Sequence, residues 1–127
     1  MRDYEVELRN HVLAQLPAPA GVAQRVYAGL TLPTGYKPAD GRAILMRMAG
    51  GDTDYSGHML RPVMQIECYG PTEADAVAVD LALLDILNNK RVCGGYCRVQ
   101  TLGTLLADPE TEWRFVLSYY QLFVLAK

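Results

Sequence analysis

Apolar residues return four positions apart at Tyr4, Leu8 and Val12, with Leu13 and Leu16 beside them, and this is the spacing of one helix face. Glu5 precedes Arg9 by four residues and adds a pair that supports the same helix. Pro17, Pro19 and Gly21 end it, since proline lacks the amide hydrogen and restricts the residue before it. QRVYAG (24–29) is short and β-prone, and TLPTGYKPADG (31–41), with two prolines and two glycines, predicts a loop. Alternation then replaces the helical period. RAILMRMA (42–49) and LRPVMQIECYG (60–70) predict a strand pair, in which Pro62, Met64, Ile66 and Cys68 alternate with Val63, Gln65, Glu67 and Tyr69. GGDTDYSGHM between them is too long for a tight hairpin and predicts a loop.

The helical period resumes over PTEADAVAVDLALLDILNN (71–89). Thr72 is placed to accept an early amide, Asp75 three residues on faces the positive helix end, and Asn88 and Asn89 suit the stop. Val77, Leu81 and Leu84 make one apolar stripe, enough to cover a sheet. Val79, Leu83, Ile86 and Leu87 make a second, which needs a further partner, either the first helix or a neighbouring subunit, and this stripe is the expected oligomer interface. After RVQTLG and a polar turn at Asp108-Pro109-Glu110, EWRFVLSYYQLFVLA (112–126) predicts a long central strand. Its expected core face carries Trp113, Phe115, Leu117, Tyr119 and Phe123, and its wetter face Arg114, Ser118 and Tyr120. The fold class that follows is α+β: two main helices packed on a mostly antiparallel or mixed sheet of four to five strands, as a single domain over residues 1–127.

Composition narrows what such a domain does. A 127-residue chain that is 50% hydrophobic fills one core, so a helix with two apolar stripes has surface to spare. The net charge of -2 gives no basic field, which removes nucleic acid as a specific partner. No apolar run is long enough to span a bilayer, and the charged residues among the first sixteen resemble no targeting segment, so the expected setting is cytosol without a membrane partner.

KRVCGGYCRVQ (90–100) separates Cys93 from Cys97 by three residues, whereas zinc pairs usually take two; Cys68 sits in a predicted strand, and no second pair exists. The Gly-Gly between the thiols suits a tight reversal, so the segment reads as a turn beside core thiols. His11 falls on the first helix and His58 in the loop. Asp52, Asp54, Ser56 and His58 are an assortment that more simply forms a solvated loop, while Glu73, Asp75, Asp80 and Asp85 spread around their helix. Tyr36, Tyr55 and Tyr69 lie in or beside loops, either as interface anchors or leaning on the core. The expectation is no catalytic residue, no cofactor and no metal.

An N-terminal helix, a Pro/Gly-rich approach, AILMRMAGGDTD, RPVMQIECYGPTEADAVAVDLALLDILNN and a final long strand together resemble the tail-terminator, or tail-completion, proteins of long-tailed bacteriophages. The most telling stretch is a strand, a small polar turn and Glu73-Ala74 opening an alanine-rich helix, with a Gly-Gly loop before the strand. The resemblance covers nearly the whole chain. It implies a structural virion protein without enzymatic activity, which forms a ring, usually a hexamer, on the end of the tail tube. Such a ring stops polymerisation and presents a surface for joining the head. The implied partners are copies of itself, the major tail protein of the tube and the head-completion or connector protein, with DNA passing through the ring. The implied location is the virion tail, after assembly in the host cytoplasm. By its length, the loop of Gly50, Gly51, Asp52, Thr53, Asp54, Tyr55, Ser56, Gly57, His58 and Met59 is the expected contact with the tube. Two other readings stay open: another neck or head-tail joining protein, and a small enzyme or metal-binding domain built on Cys93, Cys97 and His58.

Overall fold

Local chemistry sets both helices in a computed structural model that describes residues 3–15, 22, 25–29, 31–53, 58–92 and 94–125. Asp3 opens α1 (Tyr4–Gln15) by accepting the Val6 amide on its carboxylate at 3.2 Å. Thr72 opens α2 (Glu73–Leu87) in the same way, its extended backbone placing the hydroxyl 3.2 Å from the Asp75 amide. The strands are β1 (Val26–Ala28), β2 (Ala43–Thr53), β3 (Met59–Tyr69), β4 (Lys90–Val92), β5 (Gly95–Ala107) and β6 (Arg114–Leu125). They form one sheet in the order β1-β2-β3-β6-β5-β4, with β1 parallel to β2 and the other neighbours antiparallel. The α+β class holds, but the sheet has six strands, not four to five. The two end strands of three residues each are too short to show a period.

Both helices lie on one face of the sheet, α1 over β1 and β2, α2 over β3, β6 and β5. Tyr4, Leu8 and Val12 are buried there, as their spacing predicts. The stripe assignment on α2 is corrected. Val79, Leu83 and Leu87 are buried in the core and Ile86 packs against it, while Val77 and Leu81 are 41% and 57% exposed. The buried row starts at Ala76 and runs the whole helix at spacings of three and four, whereas the other row ends in Asn88. The longer row removes more apolar surface from water, and Ala76 lets the helix come close.

The faces of β6 are also reversed from expectation. Val116, Ser118, Tyr120, Leu122 and Val124 are buried under the helices, and Phe115, Leu117, Tyr119 and Phe123 are half-buried on the opposite face. Aromatic bulk marked the wrong side because that face has its own smaller core. Tyr36, Ala43, Leu45 and Tyr69 form it, with Tyr27, Leu32, Trp113 and Phe115 packed around them. Segment 31–41 brings Tyr36 and Leu32 onto these rings, and the Tyr36 hydroxyl closes the segment on itself by donating to the Gly41 carbonyl at 2.7 Å.

The expected loop of ten residues is largely strand. Gly50, Gly51, Asp52 and Thr53 belong to β2, which passes an irregularity between Met48 and Gly51, and Met59 begins β3. Exposed His58 precedes it; Asp54, Tyr55, Ser56 and Gly57 lie outside the described residues. The expected helix end at Pro17–Gly21 and Cys93 lie outside them as well.

Candidate functional site

The residues singled out for chemistry do not converge. Cys68 and Cys97 are buried thiols on β3 and β5, facing the helices. The reversal that follows β4 is as expected: Val92 pairs with Gly95, and Gly94 takes φ 75°, a conformation that glycine reaches without strain. Asp52 lies opposite Arg61 and pairs with it at 2.6 Å, rather than with His58. His11 is on α1, where burial pushes its imidazole below the usual value. Among the described residues no three of His, Cys, Asp and Glu gather as metal ligands, and no helix is long and apolar enough to cross a membrane.

A concavity lies on the face without helices. It is a groove of about 670 Å³, with segment 31–36 as one wall and the β5–β6 connection as the other. Side chains from two adjacent strands, β2 and β3, form its polar floor. Arg47 donates to Gln65 at 3.1 Å, Gln65 donates to Glu67 at 3.0 Å, and the Tyr69 hydroxyl donates to the other Glu67 oxygen at 2.5 Å. Burial, and next the Glu67 carboxylate, push the Tyr69 phenol well above its usual value, and burial pushes Tyr36 up to about 12, so both are neutral donors at physiological pH. Both Glu67 oxygens are thereby engaged by side chains of the floor.

A second arrangement lies at the sheet ends. Leu102, Leu105 and Leu106 of β5 are 65%, 43% and 39% exposed, within a stretch, 99–107, that has no charged residue. Asp80 of α2 reaches down to Gly103, where any Cβ would stand 2.5 Å from its Oδ2. Val77, one turn earlier, therefore comes level with Leu105, two residues later on a strand of opposite direction. At the other end of the sheet, Val6 of α1 and Met48 of β2 are 43% and 37% exposed. The sequence reading missed this set. The signal that could have found it was the uncharged stretch 99–107, whose middle was not assigned to any element.

No protein-family model and no curated protein matches the chain. A solved structure with 18% sequence identity aligns over 98% of this chain and 91% of its own, with a TM-score of 0.50; at that identity the likeness is one of fold alone.

Proposed function

We propose that this chain is a structural subunit of a bacteriophage tail, a terminator that closes into a ring on the end of the tail tube, stops its polymerisation and offers a surface to the head connector. The observation that supports the reading is the placement of exposed apolar side chains at both ends of one sheet: Val77, Leu102 and Leu105 at one, Val6 and Met48 at the other. Two unlike apolar rims on one subunit favour heterologous contacts, the kind that close into a ring. The order of elements that carries the resemblance is also the order along the fold. On this reading the work of the chain is binding, its partners are its own copies, the tube protein and the connector, and its place is the virion tail. Segment 50–59, which includes exposed His58, is the proposed tube contact.

Electron microscopy of tail tubes polymerised with and without the chain tests this. Tubes of regular length ending in a ring are expected in its presence. Tubes of irregular length with bare ends would overturn the reading, and binding to the portal end of heads instead would make the chain a neck component.

A further inference from the structure

The two ends of the sheet are stepped, and the steps match. Across the registers, Gly51–Thr53 of β2 stand level with Leu60–Pro62 of β3, Leu122–Val124 of β6, Gly95–Cys97 of β5 and Lys90–Val92 of β4. At the opposite end of the strands, Val26 and Tyr27 of β1 pair with Ile44 and Leu45, which stand level with Cys68 and Glu67, Val116 and Leu117, and Leu105 and Thr104. Each end strand therefore covers only part of its neighbour, and the two parts lie at opposite ends. Among the described residues, no strand pairs with the outer side of β5 beyond Cys97, or with the outer side of β2 beyond Met46.

We infer that a second copy of this chain continues the sheet by a lap joint, with β1 of one copy seated beside the open stretch of β5 and β4 seated beside the open stretch of β2. This rests on the ring reading and names the contact that would close the ring. The strand directions permit it: β1 runs antiparallel to β5, and β4 runs parallel to β2. The chemistry of the two steps also matches. Uncharged 99–107, with its exposed leucines, meets Val26, Tyr27 and Ala28. Exposed Lys90 and Arg91 meet the step that holds Asp52, whose carboxylate pairs with Arg61 of its own sheet at 2.6 Å and stands level with Arg91 through Arg61, Phe123 and Tyr96, so that Arg91 of the second copy would approach it from the open side. A step with basic residues against one with an acid, and an apolar step against another, fix both partner and register.

An exposed, long and uncharged edge is a template for pairing unless something blunts it. Three side chains hold backbone groups near the joint. Asn88 accepts the Val99 amide at 2.9 Å, Glu5 accepts the Met48 amide at 3.1 Å, and Arg9 donates to the Val26 carbonyl at 2.7 Å. They leave Gln100–Ala107 and Ala49–Thr53 for the joint. Residues 99–107 face Arg114–Tyr120 of β6 through two irregularities, at Val99/Thr101 and Thr101/Thr104, so the stretch spans about 20 Å, which still seats the three residues of β1 with the leucines beside it.

Sedimentation velocity and native mass spectrometry of the full chain over a concentration series test the joint. The wild type should form closed oligomers. Arg91→Glu should weaken association about tenfold or more, Asp52→Arg likewise, and the two together should restore it. Leu105→Lys should also weaken association while leaving the circular dichroism spectrum unchanged. A chain that is monomeric throughout, association indifferent to Arg91 and Leu105, or a double variant without rescue would each overturn the inference. Rings that respond as expected but do not cap tubes would defeat the terminator reading alone. Capping that survives Arg91→Glu and Leu105→Lys would defeat the joint alone.

Discussion

Arg42 and Asp75 meet across 33 positions of sequence, with Nε and Nη2 of the guanidinium at 3.0 and 2.8 Å from one carboxylate oxygen. The other Asp75 oxygen accepts the Thr72 hydroxyl at 2.8 Å, so the helix cap and the tie to the start of β2 share one side chain. The bonds from Arg42, and then Thr72, hold the Asp75 carboxyl below the usual carboxylate range. A carboxyl with a lowered folded-state pKa contributes stability that is present above its unfolded value and lost as pH falls through its folded value. Asp75→Asn should therefore destabilise the fold at neutral pH and flatten the acid limb of stability, read by denaturant melts across pH. Thr72→Ala removes the cap together with the hydroxyl's bond to the Asp75 carboxylate, leaves the Arg42 tie in place, and should cost about 1 kcal/mol.

Asp80 has the opposite sign. Burial raises its pKa, and Ser118 offsets this in part, although neither Asp80 Oδ1 nor Ser118 Oγ closes a well-formed hydrogen bond. The folded state then binds a proton more tightly than the unfolded chain, so stability falls as pH rises from the ordinary carboxylate value through the raised one. Asp80→Asn should stabilise the fold at neutral pH, with the difference shrinking at acid pH. Equal melts at both pH values would show that water reaches this carboxylate.

The orientation of α2 has a direct test. Leu83→Ala should cost about 2–5 kcal/mol, because a fully buried leucine leaves a cavity, whereas Leu81→Ala should change stability by less than about 0.5 kcal/mol. Comparable losses at the two positions would mean that the outer stripe is covered in the isolated chain.

The cysteines should behave as core atoms. Burial, then the charges of Asp80 and Glu67, push the Cys68 thiol well above its ordinary value, and Cys97 is fully buried. A soluble thiol reagent should modify neither residue in the native state and both after denaturation. Cys68→Ser should cost about 1–3 kcal/mol, since the hydroxyl is buried among Ile44, Val116 and other apolar neighbours.

Glu5 guards the open side of β2 through the Met48 amide. Glu5→Ala should leave the fold intact and strengthen self-association, measured by sedimentation. Weaker association would assign Glu5 to the contact itself.

Much of the fold is legible where a signal is local. Thr72 and Asp75 announce a cap, the Gly-Gly after Cys93 announces a reversal, and Tyr4, Leu8 and Val12 announce a buried face. What is not legible depends on the far side of the sheet. Phe115 and Tyr119 outweigh Val116 and Ser118 in bulk, and only segment 31–41 lying on the opposite face explains why the smaller residues go to the main core. The two stripes of α2 are both apolar in sequence, and the sheet takes the longer one, which starts at Ala76. The groove floor was hidden for a related reason: Arg47, Gln65 and Glu67 become neighbours only through strand register.

Trp113, the sole tryptophan of the chain, stands edge-on to Tyr36 at 6.3 Å and to Tyr69 at 6.5 Å. At that separation excitation absorbed by either tyrosine passes to the indole, and none of the three rings belongs to the core under the helices. The fluorescence of the native chain therefore reports the docking of segment 31–41 separately from the melting of α1 and α2, which circular dichroism follows. Anything that enters the groove and disturbs Tyr36 or Tyr69 becomes visible without a label.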